Sequence, residues 1–347
     1  MSRGQLFHRT AGVIVAGTVL LATPFPLPAE QHKGTLKAGL QMVRLDRRFD
    51  RLVPPHAHLE KIADRFQWLE GPVWNRREGY LLFSDIPANA VYRWDEVNGV
   101  CLLLKPSGYN GPLPFGGNEP GSNGLAFDRQ GRLVLAQHGD RRIARLEKKG
   151  RFTVMADRYM GKRLNSPNDL VFKSNGDLYF TDPPFGLAKG FDDRDKELPF
   201  QGVYRLSRNG ALTLLIDDIV APNGIALSPD ERKLYVSDVD YNRSAWRVYD
   251  VKEDGTVTNG RLFASASKWR KPPFFGPDGF KVDRRGNLFG ARPGGISVFS
   301  PDGDHLGSIE IGTPISNVAW GDDGSTLYIT AGSALYRMKL ATKGAGF

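Results

Sequence analysis

Six oxygen-bearing side chains recur at one point of a repeated pattern: Glu70, Asn123, Asn168, Asn223, Asp278 and Ser316. Each opens an alternating strand that runs through a polar turn into a second strand, as in SPNDLVFKSNGDLYFTD around Asn168. The steps between these positions are 53, 45, 55, 55 and 38 residues. If the copies are related by rotation, one Glu, one Asp and several Asn side chains meet on a common axis. Two carboxylates among neutral amide oxygens balance a doubly charged ion, whereas a ring of like carboxylates would repel itself. Such an oxygen-only set suits a hard divalent cation, calcium above all.

The elements that must position these residues are short strands. Period-2 alternation in YLLFSD, GRLVLAQ, GDLYFTD, RKLYVSD and STLYIT marks half-buried strands. The intervening KSNG, SPDE, DRRG and GDDG segments carry hairpin turn chemistry. Repeats of this length, each giving several strands, predict an all-β, six-bladed β-propeller with a central metal site. No domain boundary is expected within residues 58–347. Ring closure calls for pairing between the two ends of that domain, so residues 58–68 are expected to complete the last blade beside ALYRMKL.

Ahead of the repeats, residues 30–57 form a basic leader with room for a short helix. Residues 1–29 differ in kind: Arg3, His8 and Arg9 precede the apolar run AGVIVAGTVLLA and a Pro-rich exit. That order reads as an export signal, which predicts a periplasmic or secreted protein with no membrane attachment beyond the signal itself. Net charge is +9, and +7 without residues 1–29. The basic residues are scattered through turns, with no Lys/Arg stripe interleaved with aromatics, which argues against a nucleic-acid partner. The single cysteine, Cys101, allows no internal disulfide and no Cys-based zinc site, and reads as a core residue. Oligomeric state is not legible.

Three further features bear on chemistry. Asp85, Asp182 and Asp238 recur in FSDI, FTDP and VSDV, where they are expected to accept hydrogen bonds from backbone amides at blade corners. His138 is a histidine inside a repeat copy, at a strand end. Residues 106–121 and 183–200 break the period, as binding loops often do. No Gly-X-Ser-X-Gly elbow, P-loop or dinucleotide fingerprint occurs.

The phrases EGPVW, SPNDLVF, APNGIALSPD and GPDGFKVD, in this order, resemble the gluconolactonase/regucalcin (senescence marker protein) family of six-bladed propellers, its bacterial gluconolactonase branch most closely. The resemblance implies one divalent cation held by Glu70, Asn223 and Asp278, with Asn168 beside the ion as ligand or substrate contact. Calcium is the expected ion, with magnesium, manganese or zinc as alternatives. It also implies hydrolysis of a small-molecule lactone such as glucono-1,5-lactone, with Asp278 as general base and His138 as the alternative. Where regucalcin-like members carry an arginine two residues before Asn168, this chain has Ser166, so Arg163 or His138 is expected to help bind substrate, along with Asn168 and, more weakly, Asn123. Two other functions fit the scaffold: a metal-dependent hydrolase of phosphotriesters or larger lactones, and a non-catalytic ligand-binding propeller.

Overall fold

A computed structural model describes residues 34–35, 40–270, 272 and 276–347. The expected signal segment, residues 1–29, lies outside the described residues. Six sheets of four or five antiparallel strands make up the described residues, with one short two-stranded ribbon, Arg158–Tyr159 and Lys162–Arg163, following the second in sequence. Their innermost strands begin at the axial positions: Leu69–Asn75, Ser122–Phe127, Leu170–Phe172, Pro222–Leu227, Phe280–Val282 and Asn317–Gly321. This is the six-bladed propeller that the repeats predict.

The ring closes as the topology requires. Leu59–Ala63 pairs antiparallel with Ala334–Lys339, with Tyr336 opposite Lys61 and Met338 opposite Leu59. An N-terminal strand thus supplies the outer part of the last blade. At the axis, the Ser316 hydroxyl donates to the Leu69 carbonyl at 2.6 Å and joins the last blade to the first.

The leader takes part in the fold, and not as a helix. Gln41–Arg44 is a strand, paired with His305–Glu310 on the outer edge of the fifth blade. An extended segment there satisfies edge N–H and C=O groups that a helix would leave open. After it, a single 3-10 turn, Phe49–Arg51, buries Phe49. Phe49, Leu52 and Val53 join the apolar cluster shared by the fifth and sixth blades.

The remaining core lies between blades, where facing sheets interleave their apolar side chains. Phe83, Trp94 and Tyr328 meet at the joint of the last and first blades, and Trp246, Phe280 and Phe299 at the joint of the fourth and fifth. Cys101 is buried in the first blade, as expected of a core residue. No blade covers both of its own faces, so stability is shared around the ring.

If residues 40–57 are part of the propeller's packing, Phe49→Ala should cost about 3–5 kcal/mol of stability. Urea denaturation would show this as a lowered midpoint. A midpoint like that of the unaltered chain would mean that the leader only lies against the surface.

Candidate active site

The axial residues are held by hydroxyl groups of the preceding blade. Ser84 Oγ donates to the Asn123 carbonyl at 2.9 Å, Thr181 Oγ1 to that of Asn223 at 2.6 Å, and Ser237 Oγ to that of Asp278 at 2.9 Å. Where the donor position is Ala136 or Ala291, a backbone amide serves instead. Gly124 N donates to the Asn168 carbonyl at 2.7 Å, and Gly279 N to that of Ser316 at 2.7 Å. Asn123, Asn168, Asn223, Asp278 and Ser316 are therefore fixed through their main chains at one end of the central channel, where all of them and Glu70 are buried except the half-buried Asp278.

The residue after each axial position shows how closely the blades meet there. Gly71 has φ +53°, and a Cβ on it would stand 2.1 Å from the Asn123 carbonyl oxygen. A Cβ on Gly279 would stand 2.0 Å from Asn317 Cγ. Gly124 and Gly224 occupy the same position in their blades. The two exceptions carry polar side chains, Asp169 and Asn317.

Glu70 and Asp278 are brought together. Burial drives the Glu70 carboxyl well above its usual range, and the neighbouring Asp278 and Asp169 carboxyls add to that; the Gly71 amide and the Asn317 side chain oppose it. Asp278 is pushed up to about 8, first by burial, then by Asp169 and, more weakly, Glu119, against the Gly279 amide and the Asn223 side chain. Asp278 Oδ1 is buried without a hydrogen-bond partner among the described residues. The Asn123 and Asn168 amide groups make no hydrogen bond among the described residues, which leaves their oxygens free for a ligand. Two crowded carboxyls, an unpartnered oxygen and adjacent amides make a cradle that a divalent cation fits. Among the described residues no three His, Cys, Asp or Glu side chains are arranged for a metal. A cation here would complete its shell with amide and water oxygens, as hard ions do.

The two period-breaking loops meet beside this mouth. Gly117 of the first packs on Ala188 of the second, and Gly186 lies against His138 and Ser166. His138 is fully buried, and its Nδ1 lies 2.8 Å from Glu119 Oε2, close as an ion pair although off the line of a hydrogen bond. Its Nε2 has no hydrogen-bond partner among the described residues. Glu119 escaped the sequence reading. Its signal is that it is the sole acid in residues 106–121.

Ser166 is occupied locally. Its hydroxyl donates to the Pro183 carbonyl at 2.6 Å and accepts from Gly186 N at 2.8 Å, which anchors the second loop. Arg163 lies on the short ribbon outside the blades. Its guanidinium donates to the Asp140 carbonyl at 2.9 Å, and its amide to Glu197 at 2.7 Å. None of these contacts joins it to the axial set.

The corner aspartates behave as their recurrence suggested. Asp85 accepts from the Gln67 and Trp68 amides at 3.1 Å, Asp182 from Asn165 N at 2.8 Å, and Asp238 from Ala221 N at 3.2 Å. A cavity of about 680 Å³ at the other end of the channel is lined by Arg76, Arg77, Phe127, Trp320 and Lys281, and by none of the axial side chains.

The family model described as "SMP-30/Gluconolactonase/LRE-like region" matches residues 68–333. A gluconolactonase of Zymomonas mobilis is 42% identical over 99% of both chains. The solved structure of a gluconolactonase from Xanthomonas campestris superposes with a TM-score of 0.76 at 33% identity, covering 90% of this chain and 99% of that one. A diisopropyl-fluorophosphatase of Loligo vulgaris is 26% identical over 70% of this chain and 78% of its own length.

Burial pushes the Asp182 carboxyl up to about 7, against the Asn165 amide and Arg141. The folded chain thus holds this proton more tightly than the unfolded chain does, so stability falls as pH rises from about 4 to about 7. Asp182→Asn keeps an acceptor for Asn165 N and removes the titration. Its melting temperature should vary less than that of the unaltered chain across this window. An identical profile would show that the group titrates in its ordinary range.

Proposed function

The chain belongs to the SMP-30/Gluconolactonase/LRE-like family and is a lactone hydrolase; from that premise we propose that it opens an aldonolactone such as glucono-1,5-lactone to the aldonic acid, using one divalent cation at the channel mouth. The observation that carries the metal reading is the crowded pair Glu70 and Asp278, with an unpartnered buried oxygen and free amides around it. Glu70, Asn168, Asn223 and Asp278 would hold the ion, calcium for preference, with magnesium, manganese or zinc as alternatives. When bound, such an ion polarises the ester carbonyl and offsets the charge that grows on its oxygen.

The chain's own groups supply the rest. Asn168 and Asn123 present amides to the sugar hydroxyls, and the two loops narrow access to water. A carboxylate committed to a cation is a weak base, so Asp278 is assigned to holding the ion and His138 to receiving the proton of the attacking water. Glu119 beside Nδ1 stabilises the imidazolium that forms, leaving Nε2 as the acceptor. On ring opening, the proton passes from Nε2 to the departing alkoxide. Ser166 holds the second loop in place, and Arg163 is left to support that wall from outside. The similarity to the diisopropyl-fluorophosphatase of Loligo vulgaris favours organophosphates as the second substrate class. Residues 1–29, read as an export signal, would place the reaction in the periplasm or outside the cell.

Proton release in a pH-stat tests this. Chelator-stripped protein should not hydrolyse glucono-1,5-lactone, and one divalent ion should restore turnover. Activity that survives stripping would end the metal reading, and faster turnover of an organophosphate would move the substrate class. His138→Gln should retain the ion and lose kcat by about 100-fold. Full activity in that variant would return the base to Asp278.

A further inference from the structure

Lys281 follows Phe280 on the innermost strand of the fifth blade and reaches into the channel behind the metal cradle. Its Nζ lies 3.3 Å from Asn317 Oδ1, in the sixth blade. It also lies 3.9 Å from Asp169 Oδ2, in the third blade, which faces the sixth across the ring. Its third neighbour is its own strand's Phe280 carbonyl, at 3.1 Å. Among the described residues Asp169 Oδ2 is buried and has no hydrogen bond, and the ammonium group is the positive charge that faces it. Asn317 then turns its Nδ2 to Glu70 Oε2 at 3.5 Å. Asp169 and Asn317 are the two residues that replace glycine after an axial position, and both meet this lysine.

Three carboxyls crowd the axis here, those of Glu70, Asp278 and Asp169, with Glu119 further off against His138, and one ammonium group crosses behind the three. With the acids ionised the sum is two negative charges, which one divalent ion neutralises. We infer that Lys281 is a built-in cation that neutralises Asp169, so that the cradle presents the charge of a single divalent ion; the orientation of Asn317 is set by its own strand, where Val318 N donates to Asn317 Oδ1 at 2.9 Å. The inference rests on the metal reading of the cradle and assigns no new ligand. Asp169 acts through its charge alone.

Calcium titration of the chelator-stripped, otherwise intact chain by calorimetry tests it, because affinity is read without turnover. Removing the ammonium group in Lys281→Met should tighten calcium binding by about tenfold, and removing the opposing carboxylate in Asp169→Asn should weaken it by about tenfold. The double variant should return to the affinity of the unaltered chain, and Lys281→Arg, which keeps the charge, should stay near it. Should Lys281→Met fail to fold, Asp169→Asn and Lys281→Arg still decide the matter. Unchanged affinity in the single variants would overturn the inference. So would a double variant as weak as Asp169→Asn, which would make Asp169 a ligand. No calcium binding by the unaltered chain would overturn the calcium assignment itself, and this inference with it.

Discussion

Everything at the mouth depends on how one blade grips the next at the axis. Ser84, Thr181 and Ser237 each send a hydroxyl to the carbonyl of the following blade's axial residue. Amides of Gly124 and Gly279 make the same join where alanine stands in for the hydroxyl. Because the main chain is held, the Asn123 and Asn168 side chains and Asp278 Oδ1 are left without hydrogen bonds among the described residues. Buried backbone groups are satisfied at each joint, and the polar atoms left over are those of the side chains. The fold in this way concentrates unpaired oxygen at one place, and a cation or a substrate supplies what is missing. The same grip explains the glycines at the joints, since a side chain at Gly71 or Gly279 would push neighbouring blades apart.

The cluster is also a study in uneven burial. Glu70 and Asp278 would each be ordinary acids at the surface. Buried together beside Asp169, they resist ionising until a positive charge arrives. Lys281 supplies one such charge from behind, and a divalent ion would supply the other from the front. His138 stands apart from this group, sealed between the two loops with Glu119 at one nitrogen and nothing at the other. The carboxylates thus lie on the axis and the imidazole at its rim.

Much of this was legible in the sequence, because rotation turns a linear period into a ring. The spacing of Glu70, Asn123, Asn168, Asn223, Asp278 and Ser316 gave the blades, the axis and the oxygen set. The corner role of Asp85, Asp182 and Asp238 followed from their recurrence, and ring closure by Leu59–Ala63 followed from topology. What recurs can be read. The unrepeated features escaped: the strand Gln41–Arg44 is short and ambiguous until the edge of the fifth blade is there to pair with it. Glu119 lies in a loop without periodicity, and its meaning comes from a fold that brings it to His138. Arg163 is near Asn168 in sequence, yet the chain turns outward there and ties its guanidinium to Asp140. Lys281 looked like one of many scattered basic residues, since a linear reading does not show which side chains reach across the channel.

The central claim is that the axial oxygens form one site for one divalent cation. Crystals soaked in manganese, measured at a wavelength where manganese scatters anomalously, would test it directly. The account predicts a single strong anomalous peak at the channel mouth, bounded by Glu70, Asn223 and Asp278 with Asn168 alongside. A map with no peak there, or with its peak elsewhere on the propeller, would contradict it.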